Sequence, residues 1–324
     1  MTLPAILIDR LRLPVIASPM LTVSGPELVI AQAAAGVVGS FPSLNARPQQ
    51  VLRQWLSQIS DALARHDANN PHRRAAPYAV NLMDDESDDR LDKDLAAIVE
   101  FEVPIVITSR GTGRDVNEAV HSYGGLVLHD VTHNEYARRA VDRGADGLIA
   151  VAAGGHTCTQ LSFALIQEIR AWFDGPLLLS GSITHGRSVL AAQDTGADLA
   201  CVGPAFIATE EANASSEYKQ MIVETDACDV VYSNFFTGGY DNYLRASIIA
   251  FGLDPDSHAQ WHTRTVDFGA ADGREGIAGP NPWRGIRIAG RGIDLVNAVP
   301  PVAAVVNRLV LEYAEAKMQL LQRI

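Results

Sequence analysis

The sequence predicts an α/β protein folded as a (β/α)8 TIM barrel, because apolar runs and helical segments alternate along its first 206 residues. The runs are rich in valine, isoleucine, leucine and alanine, as expected for a parallel sheet that is covered by helices. Eight strands are predicted, at residues 14–20, 36–41, 78–83, 104–110, 125–131, 147–152, 176–182 and 199–206. An open doubly wound sheet is the alternative, but no G-x-G-x-x-G motif follows the first strand.

The segments between the strands carry signals for the ends of helices. In the first segment, Ser24 is a candidate N-cap, Pro26 suits the first turn and Gly36 can end the helix. Two later segments, residues 134–146 and 186–198, both close on Gly-Ala-Asp immediately before a predicted strand. The shared Gly-Ala-Asp motif indicates a repeated βα unit.

The acidic stretch at residues 84–94 has aspartates at alternating positions. It lacks the glycine and the terminal glutamate of a calcium-binding loop. We therefore interpret it as a solvated loop that leads into a helix.

The alternation of strands and helices stops after the eighth strand, and this divides the chain. Residues 1–206 form the predicted barrel, which an amphipathic C-terminal helix within 299–324 completes. Residues 207–298 have a different composition and are predicted to form a lid or substrate-side subdomain. Five aromatic residues belong either to a wall of this lid or to the core of the subdomain: Tyr232, Phe235, Phe236, Tyr240 and Tyr243.

Composition and charge restrict the possible partners and location. The net charge of −12 disfavours nucleic acid and anionic membranes, since both need a basic surface. Three cysteines without a C-x-x-C motif fit a reducing cytosol. The N-terminus is too charged and too short for a signal peptide, and no apolar run reaches the roughly eighteen residues of a membrane span. We expect a soluble cytoplasmic protein without a metal site.

Small and polar residues follow the seventh and eighth strands, where barrels commonly bind phosphate. Backbone N–H groups in these turns can hold an anion, because glycine allows its close approach. Tight turns without a ligand are the alternative. The candidate residues are Ser180, Gly181, Ser182, Gly203 and Pro204.

The first and third strands end in residues that suit the edge of a flat aromatic ring. Ala17 and Ser18 lead into the rigid Pro19 and the soft, polarisable Met20. The amide of Asn81 can donate and accept in the plane of a heterocycle. Core packing for Met20 and turn formation for Asn81 remain open alternatives.

His156 follows Gly154 and Gly155 just beyond the sixth strand. Two glycines allow the ring to reach the barrel mouth without obstruction, and a histidine can abstract a proton or stabilise an anion near neutral pH. A buried structural histidine is the alternative. Elsewhere, His129 and His133 straddle a strand end and a helix start, so a shared metal is not expected.

Five short motifs follow predicted strands one, three, six, seven and eight, in this order: IASPM, VNLM, AGGH, SGSI and VGPAF. Together they resemble the nitronate monooxygenase family, formerly called 2-nitropropane dioxygenases. The resemblance covers about 200 residues of the barrel and continues weakly into TGGYDN and AGRG. It implies FMN, with its phosphate on Gly181, Ser182 and Gly203, and its ring between Met20, Asn81 and the glycines before the histidine. His129 and Asp130 are further candidate neighbours of the flavin.

Four positions depart from the pattern of the resembled family. Ile149 and Ala152 stand where members usually carry glutamine and glutamate. Asp130 replaces a lysine found in some relatives, and Gly239 stands where arginine is common. Each change removes a polar or charged contact near the flavin or substrate.

Three functions are therefore compatible with the sequence. The first is an FMN enzyme that oxidises alkyl nitronates with O2, with His156 as base or anion stabiliser. The second is an NAD(P)H-dependent flavin reductase acting on a quinone or an enoyl thioester, since the same architecture serves both reactions. The third is a phosphate-ligand binding barrel without redox chemistry. A small-molecule substrate, O2 or an organic acceptor, and a homodimer are the expected partners.

Overall fold

The computed structural model describes residues 3–83, 90–109, 112–153, 160–233, 241–256 and 285–322. All eight predicted strands are present and parallel, in the order β1, β8, β7, β6, β5, β4, β3, β2. A parallel bridge between Ile16 and Val38 joins the two ends of this order and closes the barrel. The strands are β1 (Val15–Ala17), β2 (Gly39–Pro42), β3 (Tyr78–Met83), β4 (Ile105–Ser109), β5 (Leu126–Val131), β6 (Gly147–Val151), β7 (Leu177–Ser180) and β8 (Leu199–Val202).

Helices cover the outer surface of the barrel. In chain order, the described helices are α1 (Pro26–Ala35), α2 (Val51–Asn69), α3 (Leu91–Glu100), α4 (Arg114–His121), α5 (Asn134–Asp142), α6 (Ser162–Arg170), α7 (Gly186–Asp194), α8 (Pro204–Ile207), α9 (Ser216–Glu224), α10 (Arg245–Ala250) and α11 (Val302–Leu321). Among the described residues, no helix is long and apolar enough to cross a membrane.

Strand residues divide into two cores by their parity, because successive side chains point to opposite faces of a sheet. Ala17, Val80 and Val127 belong to the larger core between strands and helices. Ile16, Ile107 and the other alternate positions fill the barrel interior. The interior cluster comprises Leu7, Ile16, Val38, Ala79, Ile105, Ile107, Leu128, Ile149, Leu178, Leu199 and Cys201. Its member Leu7 comes from the segment before β1, which closes the amino-terminal end of the barrel.

Helix α1 begins and ends close to the predicted positions, but its predicted N-cap is wrong. Pro26 is the first helical residue and Gly36, at a φ of 94°, ends the helix. Gly25 occupies the N-cap position. Ser24 lies one residue too early, and its Oγ accepts a 3.0 Å hydrogen bond from the Met20 amide instead. The hydroxyl therefore closes the turn after β1.

The Gly-Ala-Asp repeat has the same geometry at both of its sites. Gly144 and Gly196 take left-handed conformations, with φ of 100° and 110°, where a Cβ would be strained. Asp146 Oδ2 accepts a 2.8 Å bond from the Val127 amide. Asp198 Oδ2 accepts a 2.8 Å bond from the Leu177 amide. The repeat thus ends a helix and attaches the next strand to the start of its neighbour.

The C-terminal helix is confirmed as α11 and packs against α1 and α7. A Cβ on Gly186, the first residue of α7, would lie 2.2 Å from the Leu309 carbonyl oxygen, so only glycine allows this approach. The Gly186 amide also donates a 2.8 Å bond to Glu312 Oε2. The helix therefore completes the outer layer, as the sequence predicts.

The acidic stretch is only partly solvated. Residues 84–89 lie outside the described part of the chain, and α3 begins at Leu91 as expected. Asp94, however, is buried and accepts bonds from Gln49 Nε2, at 3.1 Å, and from Arg90 Nη2. A carboxylate can be buried here because the Arg90 guanidinium compensates its charge.

Residues after β8 include a two-stranded antiparallel sheet, β9 (Val230–Ser233) and β10 (Asp241–Leu244). Tyr243 is buried in a small separate core with Ile248 and Ile286, so it has a packing role. Tyr232 is half-buried. The aromatic residues Phe235, Phe236 and Tyr240 lie outside the described residues. The boundaries of a lid at 207–298 stay a prediction.

Candidate active site

A ring of polar residues lines the carboxyl end of the barrel interior. Each lies two residues beyond an apolar residue of the interior cluster, so the pleat of the strand carries it to the same face. Carboxyl ends of barrel strands are where active sites of this architecture form. The ring consists of Ser18, Asn81, Ser109, Asp130, Ser180 and Cys201.

Three members of the ring are joined by hydrogen bonds across β3, β4 and β5. Asn81 Nδ2 donates to the Ile107 carbonyl and to Ser109 Oγ, both at 3.0 Å. Ser109 Oγ donates to Asp130 Oδ2 at 2.6 Å. Asn81 lies within its strand and forms no turn, so the alternative of a turn residue is wrong. Its amide N–H groups hold the serine that in turn holds the carboxylate.

The Cys201 thiol lies on the opposite side of the ring, beside β1. Its Sγ lies 3.1 Å from Ser18 Oγ. Burial raises the pKa of Cys201 to about 11, the side chains of Ser18 and Ser180 partly offset this, and the charge of Asp130 raises it further. The thiol is therefore neutral at physiological pH and is no nucleophile. Ser18, Ser180 and Asp130 therefore all lie near this thiol.

The turns after β7 and β8 contain backbone amides that are not engaged within the described chain. Gly181 and Ser182 both have positive φ, at 132° and 54°. Within the described part of the chain, the amides of Gly181, Ser182 and Gly203 donate no hydrogen bond. A Cβ on Gly203 would lie 3.2 Å from Ser18 Oγ. Pro204 has no amide hydrogen and starts the short helix α8.

The AGRG motif reaches the same turn from the far end of the chain. A Cβ built on Gly292 would lie 3.2 Å from the Cα of Ser182. His185, by contrast, caps α7, where its Nδ1 accepts a 3.0 Å bond from the Arg187 amide and lies 3.4 Å from Glu312. The N-terminus of α7 is therefore already occupied by this chain's own groups.

The exit of β1 is held by a residue that the sequence reading missed. Asn45 Nδ2 donates to the carbonyls of Met20 and Ser24, at 2.9 and 2.8 Å, and its Oδ1 accepts from the Thr22 amide. Ala17, the last residue of β1, faces the outer core. Met20 packs against that core, yet its Sδ would lie only 4.0 Å from a Cβ on Gly203. The β1 exit thus borders the two glycine turns.

His129 lies on the other face of β5 from Asp130. Its Nδ1 is 2.7 Å from Thr108 Oγ1. Burial, with a smaller contribution from the positive charge of Arg143, lowers the pKa of His129 to about 4. His133 is exposed and lies against the ring of Tyr136. The strand therefore directs Asp130, rather than His129, into the barrel.

Residues 154–159, which we call the histidine loop, are flanked in sequence by two residues that are hydrogen-bonded to each other. Gly154, Gly155 and His156 lie outside the described residues, as does Gly239. The Ala153 amide donates a 2.7 Å bond to the Gln160 carbonyl, so these two residues lie side by side just beyond the carboxyl end of β6. Ile149 belongs to the barrel interior and Ala152 to the outer core. Both positions are apolar and buried in this chain.

Comparison with known proteins shows to which family nearly the whole chain is related. The sequence model of the nitronate monooxygenase family matches residues 5–312. The chain belongs to the nitronate monooxygenase family. It is 26% identical to a nitronate monooxygenase of Paraburkholderia phytofirmans over 364 aligned positions, which cover 99% of this chain and 96% of the relative. It is also 26% identical to the Pseudomonas aeruginosa nitronate monooxygenase, over 75% of this chain and 80% of that one.

Solved structures share the fold of this nitronate monooxygenase family member. FabK from Thermotoga maritima has a TM-score of 0.77 at 22% identity, covering 98% of this chain and 97% of its own. A nitroalkane oxidase from Streptomyces ansochromogenes has a TM-score of 0.76 at 23% identity, covering 98% and 100%. The family consists of flavin-dependent enzymes that act on small molecules. The protein is therefore an oxidoreductase of this family.

Proposed function

We propose that this enzyme binds FMN at the carboxyl end of the barrel and oxidises alkyl nitronates with O2. The proposal rests on one observation: free backbone amides lie next to the polar ring at the carboxyl end of the barrel. Three backbone amides without hydrogen-bond partners among the described residues, at Gly181, Ser182 and Gly203, border the polar ring of the barrel interior. FMN, when bound, supplies the transfer of one or two electrons between substrate and acceptor.

The two glycine turns fit a phosphate monoester. Successive free N–H groups in a turn favour an anion, and the turn at Gly181 and Ser182, both with positive φ, offers two of them. Gly203 leaves the space beside Ser18 open, where a side chain would make a tight contact. We assign the flavin phosphate to Gly181, Ser182 and Gly203, with Ser180 and Pro204 bounding the turns.

The ring of the flavin is assigned to the space between the β1 exit and the histidine loop. Ser18 and Met20 lie beside Gly203, which supports assigning them, with Pro19 between them in sequence, to a group attached to that phosphate. Asn81 and Asp130 form the opposite rim through Ser109. We assign Gly154 and Gly155 to the same space, because Ala153 and Gln160, which flank them in sequence, are hydrogen-bonded to each other beside the end of β6.

His156 is proposed to handle the charge and the proton of the substrate. A protonated imidazole holds a preformed nitronate anion by a charge-assisted hydrogen bond. A neutral imidazole instead removes the α-proton of a nitroalkane. Both roles need the ring at the barrel mouth, which the anchored ends of its loop support.

A second function is favoured by one observation, the carboxylate of Asp130 in the polar ring. A negative charge there opposes an anionic substrate and tolerates a neutral quinone or enoyl thioester, with NAD(P)H as the electron donor. A binding barrel without redox chemistry has no such support, because the chain belongs to a family of flavin-dependent enzymes.

Anaerobic reduction of the purified protein distinguishes these functions. The absorbance spectrum first establishes whether FMN is bound. The protein is then mixed without oxygen with propionate 3-nitronate and, separately, with NADH and NADPH. Bleaching by the nitronate alone supports the proposal, and bleaching by a nicotinamide alone supports the reductase. A colourless protein that does not take up FMN contradicts both.

The role of His156 is tested separately by the turnover of the His156→Ala variant. Its matched control is His133→Ala, which changes an exposed histidine.

A further inference from the structure

Exposed apolar side chains are concentrated on the C-terminal helix. Ten large apolar residues of the described chain are exposed, and four of them lie in the last eleven residues of α11. Clusters of this kind mark surfaces that bind a partner more often than single exposed residues do. The four are Leu311, Met318, Leu320 and Leu321, exposed by 66%, 57%, 43% and 67%.

The exposed positions on α11 follow the alternating spacing of three and four residues that is typical of paired helices. We call this row the seam; it consists of Ala304, Asn307, Leu311, Ala314, Met318 and Leu321, all exposed. The opposite face packs on the barrel through Val302, Val305, Val306, Leu309 and Ala316. The helix is thus largely apolar on two opposite faces, and the described chain covers one of them.

The last turns of α11 extend past the wall of the barrel. Ala316 is the last buried residue, and every residue from 317 to 322 is exposed. Leu320 is exposed although it lies eleven residues after the buried Leu309, on the same side of the helix. The family match ends at residue 312, so this projecting part lies beyond the matched region.

The charged residues beside the seam of one copy are complementary to those of a second, antiparallel copy. Arg308 and Glu315 are seven residues apart and so lie on the same side of the seam. In an antiparallel pair of helices related by a twofold axis, position 308 of one copy lies opposite position 315 of the other. The described charged residues of α11, which are Arg308, Glu312, Glu315 and Lys317, sum to zero in a chain of net charge −12. The net charge of this helix therefore adds no repulsion between two copies of it.

We infer that the seam binds a second copy of this chain, with the two α11 helices antiparallel. Arg308, which also donates to Glu312 Oε1 and to the Thr184 carbonyl of its own chain, then lies beside Glu315 of the partner subunit, and the symmetric contact forms as well. Leu311, Ala314 and Met318 form the apolar centre. The projecting end of each helix lies over the first turns of the other, which covers Leu321.

Sedimentation velocity and light scattering on the full-length protein test the inference. The native chain is expected to dimerise, and Leu311→Glu with Met318→Glu is expected to raise the dissociation constant at least about a hundredfold, because it places charges at the centre of the interface. The matched control is Leu161→Glu with Phe163→Glu at α6, where two apolar side chains are 68% and 63% exposed; it should leave the dimer intact. Thermal unfolding verifies that each variant is folded.

Charge reversal tests the antiparallel register separately. Glu315→Arg should weaken the dimer by like-charge contact with Arg308 of the partner subunit, and adding Arg308→Glu should restore it. A native protein that stays monomeric at the highest concentration, or a seam variant as dimeric as the native chain, would overturn the inference. A double reversal no tighter than Glu315→Arg would overturn the register. None of these readouts depends on flavin or on turnover.

Discussion

Ser109 Oγ donates a 2.6 Å hydrogen bond to Asp130 Oδ2 inside the barrel, and Asn81 holds the serine in place from β3. The carboxylate is therefore fixed by the strands and does not depend on a loop. It stands where the family resemblance places a lysine in some relatives. The charge at this position is expected to decide which substrates the enzyme accepts.

Replacement of Asp130 is expected to improve the use of anionic nitronates. Removing a negative charge lowers the repulsion of the substrate, and adding a positive one creates attraction. We expect the KM for propionate 3-nitronate to fall by roughly threefold in Asp130→Asn and by roughly tenfold in Asp130→Lys. Steady-state oxygen consumption measures this. Asp142→Lys, at an exposed residue of α5, controls for the change in net charge. An unchanged or higher KM in Asp130→Lys would contradict the prediction.

Much of the fold could be predicted from the sequence, because each strand is an apolar run between helical segments. The eight strands and α11 follow directly from this pattern. Ser24 was misassigned because a hydroxyl can close a turn as readily as it can cap a helix, and only the chain path decides. Asp94 was expected to be solvated, since the distant contact with Gln49 leaves no local signal.

The polar ring was only partly predictable. Ser18, Asn81 and Ser180 were identified from the strand ends, whereas Ser109 and Cys201 were missed as site residues. A signal for both exists, since each lies two residues beyond an interior position of its strand. Asn45 has no such signal, because its role depends on a loop after β2 meeting the exit of β1.

Gly203→Ala is expected to weaken FMN binding while leaving the fold intact. The φ of Gly203 is −111°, which other residues adopt, so the backbone is not strained. A Cβ there would lie 3.2 Å from Ser18 Oγ and 3.4 Å from Ser18 Cβ, in the space assigned to the flavin. We expect the dissociation constant for FMN to rise about tenfold with an unchanged melting temperature of the apoprotein. Fluorescence titration with FMN measures it, and Ser18→Gly in the same chain should partly restore binding. Equal affinity in Gly203→Ala would remove this turn from the flavin site.

His156→Ala is expected to lose turnover while it retains FMN. The imidazole is assigned to the substrate and not to the cofactor, so the flavin spectrum should persist. A loss of kcat by a factor of about 100 or more is expected for a general base or anion stabiliser. His133→Ala, at the exposed histidine before α5, should keep native turnover. Unaltered turnover in His156→Ala would exclude this residue from the mechanism.

The stability of the protein should fall between pH 6.5 and 4 because of His129. Its pKa is lowered to about 4 by burial, whereas a histidine in the unfolded chain titrates near 6.5. In this window the unfolded state binds a proton that the folded state does not, so stability present above pH 6.5 is lost as pH falls. The full loss is about 3 kcal/mol. Urea unfolding of His129→Asn, compared with His133→Asn, should show a shallower pH dependence for the first variant. Identical pH profiles would contradict the assignment.

Asp198 and Asp146 make the same strand contact but should differ in their contribution to stability. Asp198 also pairs with Arg170 at 2.7 Å, and the two side chains are only 16% and 13% exposed. Asp146 pairs with His121 at 2.9 Å, and those side chains are 37% and 39% exposed. Asp198→Ala leaves a largely buried guanidinium without its carboxylate, for a loss of about 3 kcal/mol. Asp146→Ala should lose about 1 kcal/mol, since water replaces its contacts. Urea unfolding at pH 7 measures both. Equal losses would mean that the shared bond to the strand amide, and not the buried ion pair, dominates at both sites.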